Sequence, residues 1–426
     1  MQTAILEKIT LNRSITHEEQ LQYIEVPFHV SEEVQKISLE LTVKNIINKE
    51  CVVDLGLKDP MHVRGWSGGA RDKVTIGIQE ATPGYVAGNL YTGEWSVILG
   101  AYKIPESGCD VQIDIALEKA CETFWVKGDL HMHSVHSDGS YTLEEASEIA
   151  INKGLNFIAL TDHNTISQNF VYPTYKNLIH IPGMELTTYR GHCNFYGVKN
   201  PIMDFRATTN EEVTNKMLEA INQGAKLSIN HPHDDNCPWD WDNSLTYGWI
   251  EVWNGPWRSC NERTLAWWQK ELVEGKKLHV VGGSDTHRPD QYVKHGMPTT
   301  WVKTASNSVE GILNGIDKGN VFLSYSPEGP VIELICGEWM MGDTVTNSSY
   351  PIELTIVGLL EGDTIKIISD KGIEHTHTAS NLRFEDHLEI TDQGFYRIEV
   401  WRYFSEVNRT LMAAMCNPIY IDVKGI

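Results

Sequence analysis

Between Gly128 and Thr165 the chain places histidines and carboxylates at the tips of two successive predicted strands joined by one helix. That order restricts the region to a strand–helix–strand architecture with its polar groups at the carboxyl ends of the strands. Trp125 to Leu130 reads as a strand running into His131-Met-His133-Ser-Val-His-Ser-Asp138. Side chains alternate along a strand, so His131 and His133 leave the same face and can chelate one cation. Leu143–Lys153 is predicted helical, because Leu143, Ala146, Ile149 and Ala150 form an apolar stripe and Gly154 stands at the C′ stop. Phe157-Ile-Ala-Leu160 is a short apolar run of the buried parallel-strand type, ending in Thr161-Asp162-His163.

The theme recurs downstream. Leu178-Ile-His-Ile181 runs into Pro-Gly183-Met-Glu185, and Thr-Thr-Tyr-Arg190-Gly-His192 turns into Asn-Phe-Tyr-Gly. A predicted helix at Glu211–Gly224 precedes the strand Lys226-Leu-Ser-Ile-Asn230 and then His231-Pro-His233. Trp249-Ile-Glu-Val-Trp253 is a further strand, Asn261–Gly275 a helix, and Leu278-His-Val-Val-Gly-Gly ends in Ser-Asp285-Thr-His287.

Any one of these histidines alone is a half-buried or surface residue, and that reading applies to His136, His180, His279 and His295. Jointly the pattern differs, since ten of the 17 histidines lie between His131 and His287, mostly after apolar runs. Imidazoles and carboxylates gathered at successive strand tips are one polar site, and that donor set suits Zn²⁺, Mn²⁺ or Fe²⁺.

The motifs His131-x-His133 with Asp138, Thr161-Asp162-His163, Gly183-Met-Glu185, Asn230-His231-Pro232 and Ser284-Asp285-Thr286-His287 resemble the polymerase-and-histidinol-phosphatase (PHP) superfamily. The resemblance covers about residues 124–323. It implies an α/β fold, a distorted (β/α)7 barrel, and metal-dependent phosphoesterase chemistry on two or three divalent ions. It assigns His131, His133, Glu185 and Asp285 to one metal. Glu185, His192 and His231 would hold a second, and Asp138, His163 and His287 a third. His192 is placed by its distance from Glu185 rather than by a sharp motif. A shared carboxylate brings two cations to about 3.5–4 Å, the spacing of two-metal hydrolases. The flanking β-rich segments suggest the subgroup named after a carbaryl hydrolase. Amidohydrolases also begin with His-x-His, but they bridge their metals through a modified Lys. Glu185, Asp138 and His287 favour the PHP pattern over that one.

The implied mechanism is in-line attack on phosphorus by a metal-bridging hydroxide, with no Ser or Cys nucleophile. His233, just past His231-Pro, is the candidate acid for the leaving group; a solvated loop histidine is its bland reading. Arg190, between Glu185 and His192, is the candidate phosphate clamp, against an ion pair with a nearby carboxylate. Arg288 is a weaker version of the same idea.

At 426 residues the chain exceeds one ordinary domain. Alternating segments at Ile37–Val43, Cys51–Leu55, Lys73–Ile78, Trp95–Leu99 and Val111–Ile115, separated by turn residues, predict a β-sandwich over residues 1–122. The barrel takes residues 123–328. Ile332–Ile335, Ile352–Ile356, Thr364–Ile368 and Tyr396–Val400 predict a second β-sandwich-like domain at 329–426. Arg64-Gly-Trp-Ser-Gly-Gly-Ala-Arg71 reads as a β-connection shaped by glycine, with an anion cradle as the functional alternative. Trp267 and Trp268 are read as helix packing, whereas Trp239 or Trp241 is read as a wall of a substrate pocket.

A formal net charge of −22 opposes a nucleic-acid groove, which needs a basic footprint. Eight cysteines without CxxC spacing, and none in a ligand motif, read as reduced core residues. The N-terminal stretch has no signal-type apolar core, and no apolar run reaches membrane-spanning length, so cytoplasm is the expected location and no membrane partner is expected. The expected partner is a small-molecule phosphate ester, with oligomeric state open. Two alternatives stand beside the phosphoesterase: a carboxylic or carbamate ester hydrolase on the same metals, and a non-catalytic ligand-binding or assembly protein.

Overall fold

A computed structural model describes residues 3–44, 51–78, 80–120, 123–242, 247–346 and 350–423. The chain divides into two units, Met1–Thr123 and Phe124–Ile426.

The first unit is all β: β1 (Thr3–Ile15), β2 (Tyr23–Val30), β3 (Val34–Lys44), β4 (Val52–Lys58), β5 (Val63–Gly68), β6 (Lys73–Gly77), β7 (Gly93–Lys103) and β8 (Cys109–Ala120). They form two four-stranded sheets, ordered β1-β8-β3-β6 and β2-β7-β4-β5. Alternate residues of β3 and β8 (Ile37, Leu39, Leu41; Val111, Ile113, Ile115) meet Leu55, Trp95, Val97 and Leu99 of the other sheet in one apolar core. The Gly-rich stretch forms edge strand β5 and its following turn rather than a cradle. Within it, Arg64 is buried and donates to Asp59 Oδ2 and to the carbonyls of Val86, Gly88 and Asn89.

The second unit opens with β9 (Phe124–Met132), α1 (Leu143–Asn152), β10 (Phe157–Leu160), β11 (Ile179–His180), β12 (Gly183–Thr188) and β13 (Gly191–Tyr196). It continues through α2 (Asn210–Asn222), β14 (Lys226–Ile229), β15 (Trp249–Asn254), α3 (Ser259–Val273), β16 (His279–Gly283), β17 (Thr299–Thr304), α4 (Val309–Asp317) and β18 (Val321–Ser324). The N-caps follow local chemistry: Thr142 before α1 and Thr209 before α2 accept from the N3 amides, and Glu145 and Glu212 complete capping boxes.

These strands lie in two sheets. One runs β11-β10-β9-β17-β18 and onward, and the other β12-β13-β14-β15-β16. Single bridges, Met132↔Thr286 and His163↔Glu185, tie their edges together where the polar residues lie. The resemblance implies seven alternating strand–helix units. The described residues instead show four α-helices and four antiparallel pairs, β12/β13, β13/β14, β9/β17 and β17/β18, so the region is mostly β.

The tail contributes β19 (Val331–Cys336), β20 (Trp339–Met340), β21 (Thr344–Val345), β22 (Ile352–Val357), β23 (Thr364–Ser369), β24 (Gly372–Thr378), β25 (Arg383–Leu388), β26 (Phe395–Phe404), β27 (Arg409–Cys416) and β28 (Ile419–Ile421). It does not stand apart at residue 329. β27 pairs with β18 from Phe322↔Cys416 to Ser324↔Ala414, extending the β9 sheet to eleven strands. An edge left by β18 would expose unpaired amides, and β27 covers it. The four-stranded sheet β20-β19-β22-β25 packs on this extension through Ile332, Leu334, Ile356, Ile365 and Ile398. Among the described residues no helix is long and apolar enough to cross a membrane.

Candidate metal centre

Strand ends deliver the donors. β9 carries His131 and His133, the loop after β10 carries His163, β12 and β13 carry Glu185 and His192, and the ends of β14 and β16 lead into His231 and Asp285-Thr-His287. Two of these residues adopt left-handed backbone that is uncommon without glycine: His231 (φ 28°) and Asp285 (φ 53°). Gly283 is required for close approach, since a Cβ there would lie 2.2 Å from His131 Cβ.

Glu185 is fully buried at the middle of the cluster. Its Oε1 lies 3.3 Å from His131 Nε2, 3.2 Å from His192 Nδ1 and 3.7 Å from His231 Nε2, while Oε2 lies 2.6 Å from His163 Nδ1 and 3.6 Å from His133 Nε2. Asp285 Oδ1 lies 3.1 Å from His133 Nε2 and 3.5 Å from His131 Nε2. On the outer side, Asp138 Oδ1 lies 3.5 Å from His163 Nε2 and 3.4 Å from His287 Nε2, and those two nitrogens are 3.4 Å apart. Each of the nine residues assigned to metals by the sequence pattern is therefore within this one cluster.

The protonation pattern is that of ligands. His131 Nδ1–H donates to the buried Glu251 Oε1 at 2.8 Å, leaving Nε2 as a lone pair facing two carboxylates. His287 Nδ1–H donates to the Asp285 carbonyl at 2.9 Å, which turns its Nε2 toward Asp138 and His163. His131 Nε2, both ring nitrogens of His133 and His192 Nδ1 are buried without a hydrogen-bond partner. Buried polar atoms are ordinarily satisfied, so convergent lone pairs of this kind fit cations.

Burial disfavours charge on His131, but Glu251, Asp285 and Glu185 outweigh it and raise the imidazole well above its ordinary value. Burial is likewise overcome at His163, chiefly by Glu185, and at His231 by Cys237 and Glu185. Burial would raise Glu185 and Asp285, yet His131 holds both well below the usual carboxylate range, with His192 adding at Glu185 and His133 at Asp285. His133 goes the other way, lowered by burial.

Several supporting residues went unassigned in the sequence reading. Glu251 also accepts from the His231 amide at 3.0 Å, and its signal was a single carboxylate in the otherwise apolar, fully buried strand β15. Asn254 Nδ2 reaches both Glu251 Oε2 and Asp285 Oδ2, and Asn230 Nδ2 donates to Glu185 Oε1. Asp162 is no ligand: it accepts from Ser134 and Ser137 and so folds the loop that presents Asp138. Asp129 accepts from the amides of His131, Ser284 and Gly296, tying β9 to the segment around His287. Cys237 departs from the reading of the cysteines as core residues: it is only half-buried, its Sγ lies 3.7 Å from His231 Nδ1, and with His192 and His231 it forms a group that could hold a metal ion.

The two residues expected to act on substrate make contacts of their own. His233 follows the reversal at His231-Pro232 and turns toward α3, with Nδ1 3.2 Å from Thr264 Oγ1, and burial lowers its pKa. Arg190 stacks over Trp241, 4.4 Å from the ring centroid, and donates to the Asp240 carbonyl. Trp239 and Trp241 are buried in the apolar core rather than walling an open pocket. A different cation, the half-exposed Arg258, donates to Asn254 Oδ1 and lies 3.8 Å from Asp234. The histidines read as bland contact neighbours outside the cluster: His136 pairs with Ser167, and His180 with Ser147.

Residues 129–236 match the family described as PHP domain. The DNA polymerase/3'-5' exonuclease PolX of Bacillus subtilis (strain 168) is 42% identical over 62 residues, 15% of this chain and 11% of that protein. The chain thus spans about a tenth of that relative's length. A Bacteroides vulgatus two-domain protein described as containing a predicted PHP-like metal-dependent phosphoesterase aligns over 69% of this chain and 96% of its own, at 19% identity and a TM-score of 0.40. An amidohydrolase from Chromobacterium violaceum with bound sulfate aligns over 39% of this chain and 89% of its own, at 16% identity and a TM-score of 0.27.

Proposed function

We propose that this protein is a metal-dependent phosphoesterase of the PHP type, acting on a small-molecule phosphate ester with two or three divalent ions. The observation that carries the proposal is the His131 geometry: its proton is committed to Glu251, and its free nitrogen faces Glu185 and Asp285 with no hydrogen-bond partner. In this reading strands β9–β18 form a distorted barrel of the PHP kind, opened by its antiparallel pairs. His131, His133, Glu185 and Asp285 would hold one ion, Glu185 with His192 and His231 a second, and Asp138, His163 and His287 a third.

Bound divalent ions supply a nucleophilic water at neutral pH and polarise phosphoryl oxygens. The chain's own residues prepare that chemistry. Glu251 and the Asp285 carbonyl fix the tautomers of His131 and His287, and Asn230 and Asn254 orient the two central carboxylates. Arg258, beside Asn254, is the cation placed to meet a phosphoryl oxygen, the role first expected of Arg190. His233, lowered by burial and turned to Thr264, is a poor acid near neutral pH and has no part in this reading. The charge of −22 favours a small substrate over a nucleic acid.

The test is turnover of p-nitrophenyl phosphate, bis(p-nitrophenyl) phosphate and p-nitrophenyl acetate by protein loaded with Zn²⁺, Mn²⁺ or Fe²⁺. Metal-dependent release from a phosphate ester supports the proposal. Release from the acetate alone makes the protein a carboxylic ester hydrolase, and no release from any ester leaves a binding or assembly role.

A further inference from the structure

An open groove of about 640 Å³ in the second unit lies between the loops after β15 and β16 and the β26–β27 hairpin. Trp257, Tyr292, Met297, Tyr325, Phe404 and Met412 are among its walls. We propose that this groove binds the organic group of the substrate, and that this group is a flat, uncharged aromatic ring system, making the substrate an aryl-type phosphate ester. The inference rests on the phosphoesterase reading.

Placement comes first. The groove includes Trp253 and Gly255, the neighbours on either side of Asn254, whose side chain reaches Asp285 Oδ2 at 3.2 Å. The segment that carries Asp285 and His287 continues directly into Gln291, Tyr292, Lys294 and Met297 of the groove wall. One loop thus supplies both metal donors and lining, at the carboxyl ends of the strands that hold the cluster. Arg258 follows Trp257 and sits on Asn254, marking the junction where a phosphoryl group would meet the groove.

Size and chemistry then define the occupant. The volume lies within the range of about 300–1,000 Å³ that holds small organic ligands, far more than a phosphate needs. Tyr292 and Tyr403 are 58% and 59% exposed, which leaves aromatic surface open to a ligand. The one arginine in the lining, Arg402, is held by Asp363 and the Gly358 carbonyl, so it offers no free charge to a ligand. Lys294 and Glu406 contribute one charge of each sign. Aromatic walls with a neutralised arginine select a flat apolar group rather than a second anion.

Turnover of 4-methylumbelliferyl phosphate and methyl phosphate by wild type, Tyr292→Ala and Tyr403→Ala tests this, alongside fluorescence-polarisation binding of 4-methylumbelliferone to chelator-stripped protein. Both tyrosines are exposed, so equal thermal midpoints are expected. The predicted result is a preference for the aryl ester in wild type that falls about tenfold in each variant, the scale of one lost apolar contact, with umbelliferone binding weakened in parallel. An unchanged preference, or umbelliferone binding that is absent or insensitive to both substitutions, overturns the groove assignment. Umbelliferone binding that weakens in the variants, with no phosphate ester turned over, supports the groove and overturns the phosphoesterase reading instead.

Discussion

Two buried polar constellations in this molecule differ in one respect. In the N-terminal unit, Arg64 is buried and all five guanidinium N–H groups are engaged, by Asp59 and by the carbonyls of Val86, Gly88 and Asn89. In the second unit, His131, His133 and His192 hold buried ring nitrogens that have no hydrogen-bond partner. The first arrangement is closed and holds a β-connection together. The second is open, with its lone pairs converging, and needs something from solution. Burial of charge alone does not mark a functional site; unsatisfied convergence does.

Breaking the open constellation has the largest expected effect. Glu185→Ala removes the carboxylate shared by five imidazoles. It is expected to lower phosphate-ester turnover by roughly a thousandfold, the scale of losing one major electrostatic contact to a transition state, with bound metal falling in parallel. Near wild-type turnover would show that Glu185 bridges nothing. Breaking the closed constellation should act on stability alone. Arg64→Ala takes the guanidinium from the buried Asp59, which keeps the Met61 and His62 amides, and should cost about 3 kcal/mol in the N-terminal unit, read as a lower unfolding midpoint with unchanged kcat in the folded protein. A loss of kcat at equal folded fraction would make Arg64 part of the chemistry.

A subtler change sharpens the contrast by touching only the support. Glu251→Gln keeps the shape but weakens the hold on His131 Nδ1–H, and metal affinity should fall about 10–100-fold. Titration with a competing chelator measures it, and unchanged affinity would mean that His131 needs no orienting partner. The smallest effect is in pH. The metal-free imidazoles of His131, His163 and His231 are raised in the folded state, so their stabilisation is full below the unfolded value of about 6.5 and fades as pH rises through the folded values. His133, lowered by burial, opposes this in part. Metal ions replace those protons, so the gap in melting temperature between loaded and stripped protein should widen between about pH 6 and pH 8.5. A constant gap would indicate that protons and metals do not compete.

Legibility in the sequence followed burial. β3 and β8 alternate clearly and β4 and β7 are largely buried, because all four lie across the sandwich core, whereas β1, β2 and β5 were not recognised. All three are edge strands, with weaker alternation, Pro27 inside β2 and Gly65 and Gly68 inside β5. The cluster was readable because its donors sit at strand tips in recurring short motifs. What escaped were residues whose roles depend on tertiary contacts: Glu251, Asn254, Arg258 and Cys237 become visible only when β15 and the loops after β14 and β15 are brought beside His131 and His231. His233 and Arg190 were singled out by proximity in sequence. A backbone reversal at His231-Pro232 and stacking on Trp241 direct them elsewhere. The tail looked like a separate domain because nothing in its alternation indicates that β27 completes the edge of β18.

The central claim is that the open cluster is a metal centre built around Glu185. The most direct measurement is metal content per chain, by elemental mass spectrometry, after chelator stripping and reloading with Zn²⁺, Mn²⁺ or Fe²⁺, for wild type and Glu185→Ala side by side. Two or three ions per wild-type chain, with a clear deficit in the variant, is the predicted result. A wild-type chain that retains none of the three metals, or a variant that retains as many ions as wild type, would contradict the account.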